Sequence, residues 1–173
     1  KDSDVVPLCL SGKNNGYVEN LNIDLKREKF SLGPVVRSIK EMQVICMNDL
    51  STEKGFSRLK SAALERGFRS AASVPLSLED EVCGVLVLYS NDPDVFNEEM
   101  FQLLSHLSED LSNALNNLAA EEKRVVAEKR LRLLSSAIDQ SADAVTIMNA
   151  SGVIEYVNPK FSLLTGYKLE EVL

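Results

Sequence analysis

The chain has 173 residues, with 19 Lys and Arg against 26 Asp and Glu, a formal charge of −7 and 45% hydrophobic residues. That composition describes a soluble globular domain with something added, and the acidic balance argues against nucleic acid as a partner, because phosphate binding needs clustered Lys and Arg. Cys9, Cys46 and Cys83 lie far apart with no CxxC and one His accompanies them, so neither a disulfide framework nor a structural metal site is encoded.

Residues 5–11 place Val6, Leu8 and Leu10 at period two, which predicts a strand, and the run from Gly12 to Gly16 predicts a loop. Residues 17–25 alternate again, with Leu21, Ile23 and Leu25 on one face, so the two segments are expected to pair as a hairpin. Gly33-Pro34 opens a predicted helix to about Met42 with Val35, Val36, Ile39 and Met42 on its apolar side. A short extended piece at 44–46 follows, then Asn48-Asp49, then a second helix over 55–66 with Phe56, Leu59, Ala63 and Leu64 at helical spacing and Gly67 as its C-cap.

Residues 70–78 alternate Ala72, Val74, Leu76 and Leu78, and residues 82–89 are almost continuously apolar, which predicts the most buried strand there. The polar stretch 79–81 between them is short enough for a hairpin but lacks Asn-Gly or Asp-Gly. Cys9 and Cys83 are expected as small core residues, and Cys46 likewise.

Asn97 is a suitable N-cap with Glu98 and Glu99 in the first turn, where the helix dipole favours negative charge. The helix it opens carries Met100, Leu104, Leu107, Leu111, Leu115 and Leu118 at spacings of three and four, and no Gly or Pro interrupts residues 97–150. Leu131, Leu134 and Ile138 fall out of phase with that stripe, so a coiled-coil stretch with a phase shift is expected. The basic residues around Lys123 and Arg130 are interleaved with Glu121, Glu122 and Glu128 and read as a solvated, ion-paired helix. Beyond Asp143, two short strands flank the turn at Asn149–Gly152, and Asn158-Pro159 opens a helix that Gly166 closes.

With Gly33-Pro34, Asn48-Asp49, Gly67-Phe68-Arg69-Ser70, Pro75-Leu76, Gly84-Val85-Leu86 and Phe96 in this order, residues 5–118 resemble a GAF sensory domain of bacterial signalling proteins. Residues 137–173, with Asp143-Ala144, Tyr156-Val157-Asn158, Phe161, Thr165-Gly166-Tyr167 and Glu170-Glu171-Val172-Leu173, resemble the opening of a PAS domain. The resemblance implies an α+β fold: a central antiparallel sheet with helices on its faces, a long signalling helix, then a truncated PAS start. The expected division is 1–118 (GAF, curtailed at its start), 119–138 (signalling helix) and 139–173 (incomplete PAS). Both ends read as cut from a larger parent protein.

The same resemblance implies a small-molecule pocket over the sheet, for which Gly33, Val36, Ile39, Asp49, Phe68 and Arg69 are the candidate lining residues. Asp49 and Arg69 also have plain structural readings, as a turn cap and a sheet-edge ion pair. The ligand is unknown, and haem or another tetrapyrrole is not expected: His106 sits alone on the long helix and no bilin-attachment motif is present. No metal and no catalytic residue is expected, since the clustered cysteines of the free methionine-R-sulfoxide reductases, which share the fold, are absent. Leu104, Leu107, Leu111, Leu115 and Leu118 are the expected interface of a homodimer. The predicted function is a cytoplasmic, non-enzymatic input module without nucleic-acid or membrane contact, its parent ending in cyclic-di-GMP synthesis or hydrolysis domains or in a histidine kinase. The alternative is a ligand-free GAF dimerisation scaffold.

Overall fold

A computed structural model describes residues 4–12, 16–18, 23–25, 33–53 and 57–172. The chain divides into two compact units, 1–117 and 118–173. In the first, β1 (Asp4–Val5) pairs antiparallel with β2 (Ile23–Asp24), joining Val5 to Ile23. The remainder of the predicted first strand is not one: Val6, Leu8 and Leu10 are exposed, Leu8 to 96%. Pro7 in its middle has no N–H to give a ladder, which works against continuing the pairing. Leu21, Gly55 and Phe56 lie outside the described residues.

Helix α1 (Pro34–Glu41) begins at Gly33 with Pro34 in its first turn, where the missing N–H costs nothing, and ends at Met42 in the left-handed conformation. It leads into β3 (Ile45–Met47), then α2 (Ser57–Glu65), β4 (Ser70–Leu78) and β5 (Glu81–Ser90). These strands form an antiparallel sheet in the order β3-β4-β5. Gly67, at φ +88°, turns the chain from α2 into β4.

β4, not the more apolar β5, is the most buried strand: residues 70–75 are all buried, whereas β5 is half-buried to exposed throughout. The reason is position. β4 has a strand on each side and a layer on each face, with Ala71 in one cluster beside Met47 and Leu50, and Ala72 and Val74 in another beside Phe96 and Leu104. On the α1 side the buried hydroxyls of Ser38 and Ser73 bond each other at 2.7 Å, satisfying two polar groups that would otherwise be costly there.

β4 and β5 are joined by Glu79 and Asp80, both at positive φ (51° and 62°), as a two-residue type I′ connection requires. Left-handed backbone strains a non-glycine residue. Asp80→Gly is therefore expected to stabilise the fold by about 0.5 kcal/mol, the relief of strain exceeding the entropy glycine adds to the unfolded chain. Calorimetry should show a melting temperature a few degrees higher, and a fall would contradict the turn geometry. The hairpin register shifts at Leu76/Ser77, where Ser77 faces Val82 and Leu76 faces Gly84. Cys83 is the extra residue of that bulge. It is exposed, with its thiol donating to the Leu76 carbonyl at 3.3 Å. Cys9 is exposed as well and Cys46 partly so, which corrects the expectation that all three sit in the core.

Helix α3 (Glu98–Asp139) is continuous for 42 residues. Asn97 caps it, its side-chain oxygen accepting from the Met100 amide at 3.0 Å. In the second unit, β6 (Thr146–Met148) pairs with β7 (Ile154–Val157), followed by α4 (Pro159–Thr165) and α5 (Leu169–Val172). Its one buried residue among those described is Asn158, 1% exposed. No described helix is long and apolar enough to cross a membrane.

Candidate functional site

Three aromatic rings from distant parts of the first unit meet beside the sheet. Phe68 and Tyr89 stand 5.0 Å apart between ring centroids, Tyr17 lies edge-on to Tyr89 at 5.3 Å, and Tyr17 and Phe68 are 5.7 Å apart. The Arg66 guanidinium lies over Tyr17 at 5.8 Å from its centroid, in cation–π range. The Tyr17 hydroxyl donates to the Leu59 carbonyl at 3.4 Å, which ties the N-terminal segment to α2. Burial pushes the Tyr89 hydroxyl well above its ordinary pKa, and the neighbouring Tyr17 raises it further. Tyr17 is itself raised, chiefly by burial, with Tyr89 and Arg66 pulling the other way. Both phenols are therefore protonated, neutral groups at pH 7.

Next to this cluster lies a cavity of about 20 Å³ whose wall includes Tyr17, Gly33, Val36, Leu50, Leu59 and Tyr89. That volume holds about one water molecule, against the several hundred Å³ of a small-molecule pocket. The wall is almost wholly apolar, with the two tyrosines as its polar edge. Of the six candidate lining residues, Gly33 and Val36 lie in its wall. Ile39 packs in the cluster of Ile23, Val35 and Val36, and Phe68 is buried in the aromatic group; neither is part of the wall.

Asp49 and Arg69 do not line it either. They face each other across an exposed ion pair at 3.6 Å. The Asp49 carboxylate accepts from the Ser51 hydroxyl and amide at 2.6 and 2.9 Å, and these bonds, more than Arg69, hold its pKa below the usual range. Between them the Leu50 amide donates to the Arg69 carbonyl at 2.7 Å, which anchors Leu50 inward. The polar pair thus lies beside Leu50, one residue of the cavity wall. Tyr17, Leu59 and Tyr89 are wall residues that the sequence reading did not select. Leu59 could be found from its helical spacing with Ala63, but nothing local marks either tyrosine.

The helical leucines divide by depth. Leu104 is 3% exposed and packs with Val74 and Phe96, and Leu107 leans on the same cluster. Leu104 is thus covered by its own sheet and offers no surface to a second chain, which corrects its place in the expected interface. Leu111 and Leu115 are half-buried, and Leu118 is 69% exposed. His106 is exposed on α3. Among the described residues no group of three or more His, Cys, Asp or Glu is placed to hold a metal.

Residues 5–116 match the family model of a GAF domain and residues 129–173 that of a PAS domain. Among solved structures, fRMsr of Staphylococcus aureus in complex with its substrate is 16% identical over 66% of this chain and 66% of its own, with a TM-score of 0.51. A domain from Sinorhizobium meliloti 1021, described as a two-component sensor histidine kinase protein, is 18% identical over 64% of this chain and 68% of its own, TM-score 0.47. The GAF domain of an Acinetobacter phosphoenolpyruvate-protein phosphotransferase is 22% identical over 65% and 61%, TM-score 0.44. At these identities the likeness concerns the fold alone. No curated protein matches the chain.

Proposed function

Because the chain belongs to the GAF domain family and runs on into a PAS-domain match, a pairing that makes a sensory signalling module, we propose that it is a regulatory relay in which α3 passes the state of the GAF unit onward. The observation that carries this reading is the span of α3: Glu98–Asp139 begins inside the segment matched as GAF and ends inside the segment matched as PAS, with no break. A continuous helix is the stiffest connector a chain can supply, and a bias of about 1 to 3 kcal/mol between two arrangements suffices for coupling.

The relay works as a dimer of this chain. Leu118 and Val125 are one heptad apart, Leu131, Leu134 and Ile138 resume the spacing in a shifted phase, and Leu118, Val125, Leu131 and Leu134 are each at least half exposed. Such a stripe on an otherwise charged helix is what a second copy would cover. The proposed signal is a small, largely apolar molecule that enters between α1 and the tyrosines and enlarges the cavity. The output of the parent protein is proposed to be cyclic-di-GMP turnover or a histidine kinase. The cavity's size of about 20 Å³ favours a second reading, in which its own side chains fill the site and the unit is a dimerisation scaffold.

The role is regulatory, not catalytic. Burial, reinforced by the Glu98 carboxylate, raises the Cys46 pKa, the wrong direction for a thiolate nucleophile. Native mass spectrometry of the purified chain tests the proposal. A dimer that Leu131→Asp with Leu134→Asp reduces to monomer is the expected result, and a monomer at tens of micromolar would refute the paired helix. A retained extra mass selects the sensor, and a bare dimer that no apolar probe stabilises selects the scaffold.

A further inference from the structure

β3 covers only part of one edge of β4. Its pairing runs Met47 to Ala71, Cys46 to Ala72 and Ile45 to Ser73 and stops there, although β4 continues to Leu78. The next groups along that edge bond side chains of α3 instead. The Ser108 hydroxyl donates to the Pro75 carbonyl at 2.5 Å, and the Ser77 amide donates to the Ser112 hydroxyl at 2.9 Å. The Glu79 amide donates to the Asn116 carboxamide oxygen at 3.0 Å, while the Asn116 amide group donates to the Ser77 carbonyl at 3.2 Å and back to the Ser112 carbonyl at 2.8 Å. Pro75 carries no N–H, so the position without a donor sits where the rung calls only for an acceptor.

The two repeats match. Strand residues 75 and 77, about 6.8 Å apart, and the first turn residue, 79, present backbone groups to one side. Helix residues 108, 112 and 116 are about 6.0 Å apart along the axis and drift by only about 40° per step, so three rungs fit before the face turns away. We infer that Ser108, Ser112 and Asn116 act as a surrogate edge strand that keys α3 to one rotational setting on β4, so that the β4–β5 hairpin and α3 up to Asn116 move as one body.

Two consequences follow from that geometry. The β4 edge from Pro75 to Glu79 is closed to strand addition by another chain. Helix rotation or register shift begins beyond Asn116, and a signal reaches α3 through displacement of the hairpin. The signalling meaning rests on the relay proposed above; the keying does not.

The test uses the full chain with Cys9→Ser, Cys46→Ala and Cys83→Ser, and spin labels on Asp80→Cys and Asn117→Cys, both exposed positions. Pulsed electron resonance is expected to give one narrow distance distribution, and Ser112→Ala with Asn116→Ala is expected to broaden it at least twofold. Amide exchange supplies the second readout. The Ser77 and Glu79 amides should exchange at least tenfold faster in the variant, while Ala71 and Ser73, paired with β3, stay protected. An unchanged distribution, or Ser77 and Glu79 exchanging at the original rate, would overturn the inference. If the double variant unfolds, Ser112→Ala alone decides: selective loss of Ser77 protection supports the keyed edge, and no change or a uniform loss refutes it.

Discussion

Leu50→Ala is expected to destabilise the first unit by about 3 kcal/mol, the middle of the range for emptying a buried leucine site. Leu50 is 1% exposed, packs with Met47, Ala63 and Phe68, and is held by its own amide to the Arg69 carbonyl, so the surroundings have little freedom to collapse. The melting temperature should fall by roughly 10 °C or more, while Leu103→Ala, at a position 60% exposed in the same unit, should leave it within a degree or two. The lost side chain adds its volume to the existing cavity, whose wall includes Leu50. Benzene or indole should then raise the melting temperature of the variant, since a ligand bound only to the folded state stabilises it by mass action. A fall of less than about 3 °C would mean that Leu50 is not in a packed core. Stabilisation of the unaltered chain by the same probe would favour the sensor over the scaffold, because it requires that the cavity open unaided.

Asn158→Ala should have a comparable effect confined to the second unit. The Asn158 side chain uses all four of its hydrogen-bonding positions. Its oxygen accepts from the Val145 and Phe161 amides at 2.9 and 3.0 Å, and its amide group donates to the Ile138 and Asp143 carbonyls, both at 3.0 Å. One residue thus ties the last turn of α3, the link to β6 and the start of α4. Alanine strands four partners, of which water can reach some, for a loss of about 3 kcal/mol. Amide exchange at Val145 and Phe161 should accelerate strongly while Ala72 and Val74 in the first unit stay unchanged. Asn158→Asp separates the halves: its oxygens can still accept from Phe161, but it cannot donate to Ile138 and places a negative charge at the negative end of α3. Unaltered protection of Val145 and Phe161 in the alanine variant would dismiss Asn158 as a latch. Tyr156, whose hydroxyl donates to the Asp139 carboxylate, holds the same helix end and is raised in pKa by that bond.

The candidate site was only half legible in the sequence. Gly33 and Val36 could be placed because Gly33-Pro34 sets a helix start whose apolar side is counted from it. Asp49 and Arg69 carry the family pattern, yet both lie outside the cavity wall as an ion pair, and only the Arg69 backbone carbonyl reaches a wall residue, through the Leu50 amide. Tyr17 and Tyr89 went unread because they belong to segments 72 positions apart, and only their meeting beside Phe68 gives either a role. The edge formed by Ser108, Ser112 and Asn116 repeats every four residues in plain view, but the leucines between them dominate any reading of hydropathy.

What the sequence determined by itself is local. Pro34 and Pro159 in first turns, Asn97 and Asn158 as caps, and Gly67 and Gly166 at positive φ each act within a few residues, through backbone sterics or one hydrogen bond, and each element they bound is present. The tertiary structure alone decided which strand is central, which cysteine is exposed and which leucine is free. β5 is richer in apolar residues than β4, yet β4 is buried because it has neighbours on two edges and two faces. A bulge turns Cys83 outward from an apolar run, and Leu104 is covered by its own sheet while Leu118, two heptads later on the same helix, is not. Hydropathy states what a residue would gain from burial; the number of layers packed around its position determines whether it is buried at all.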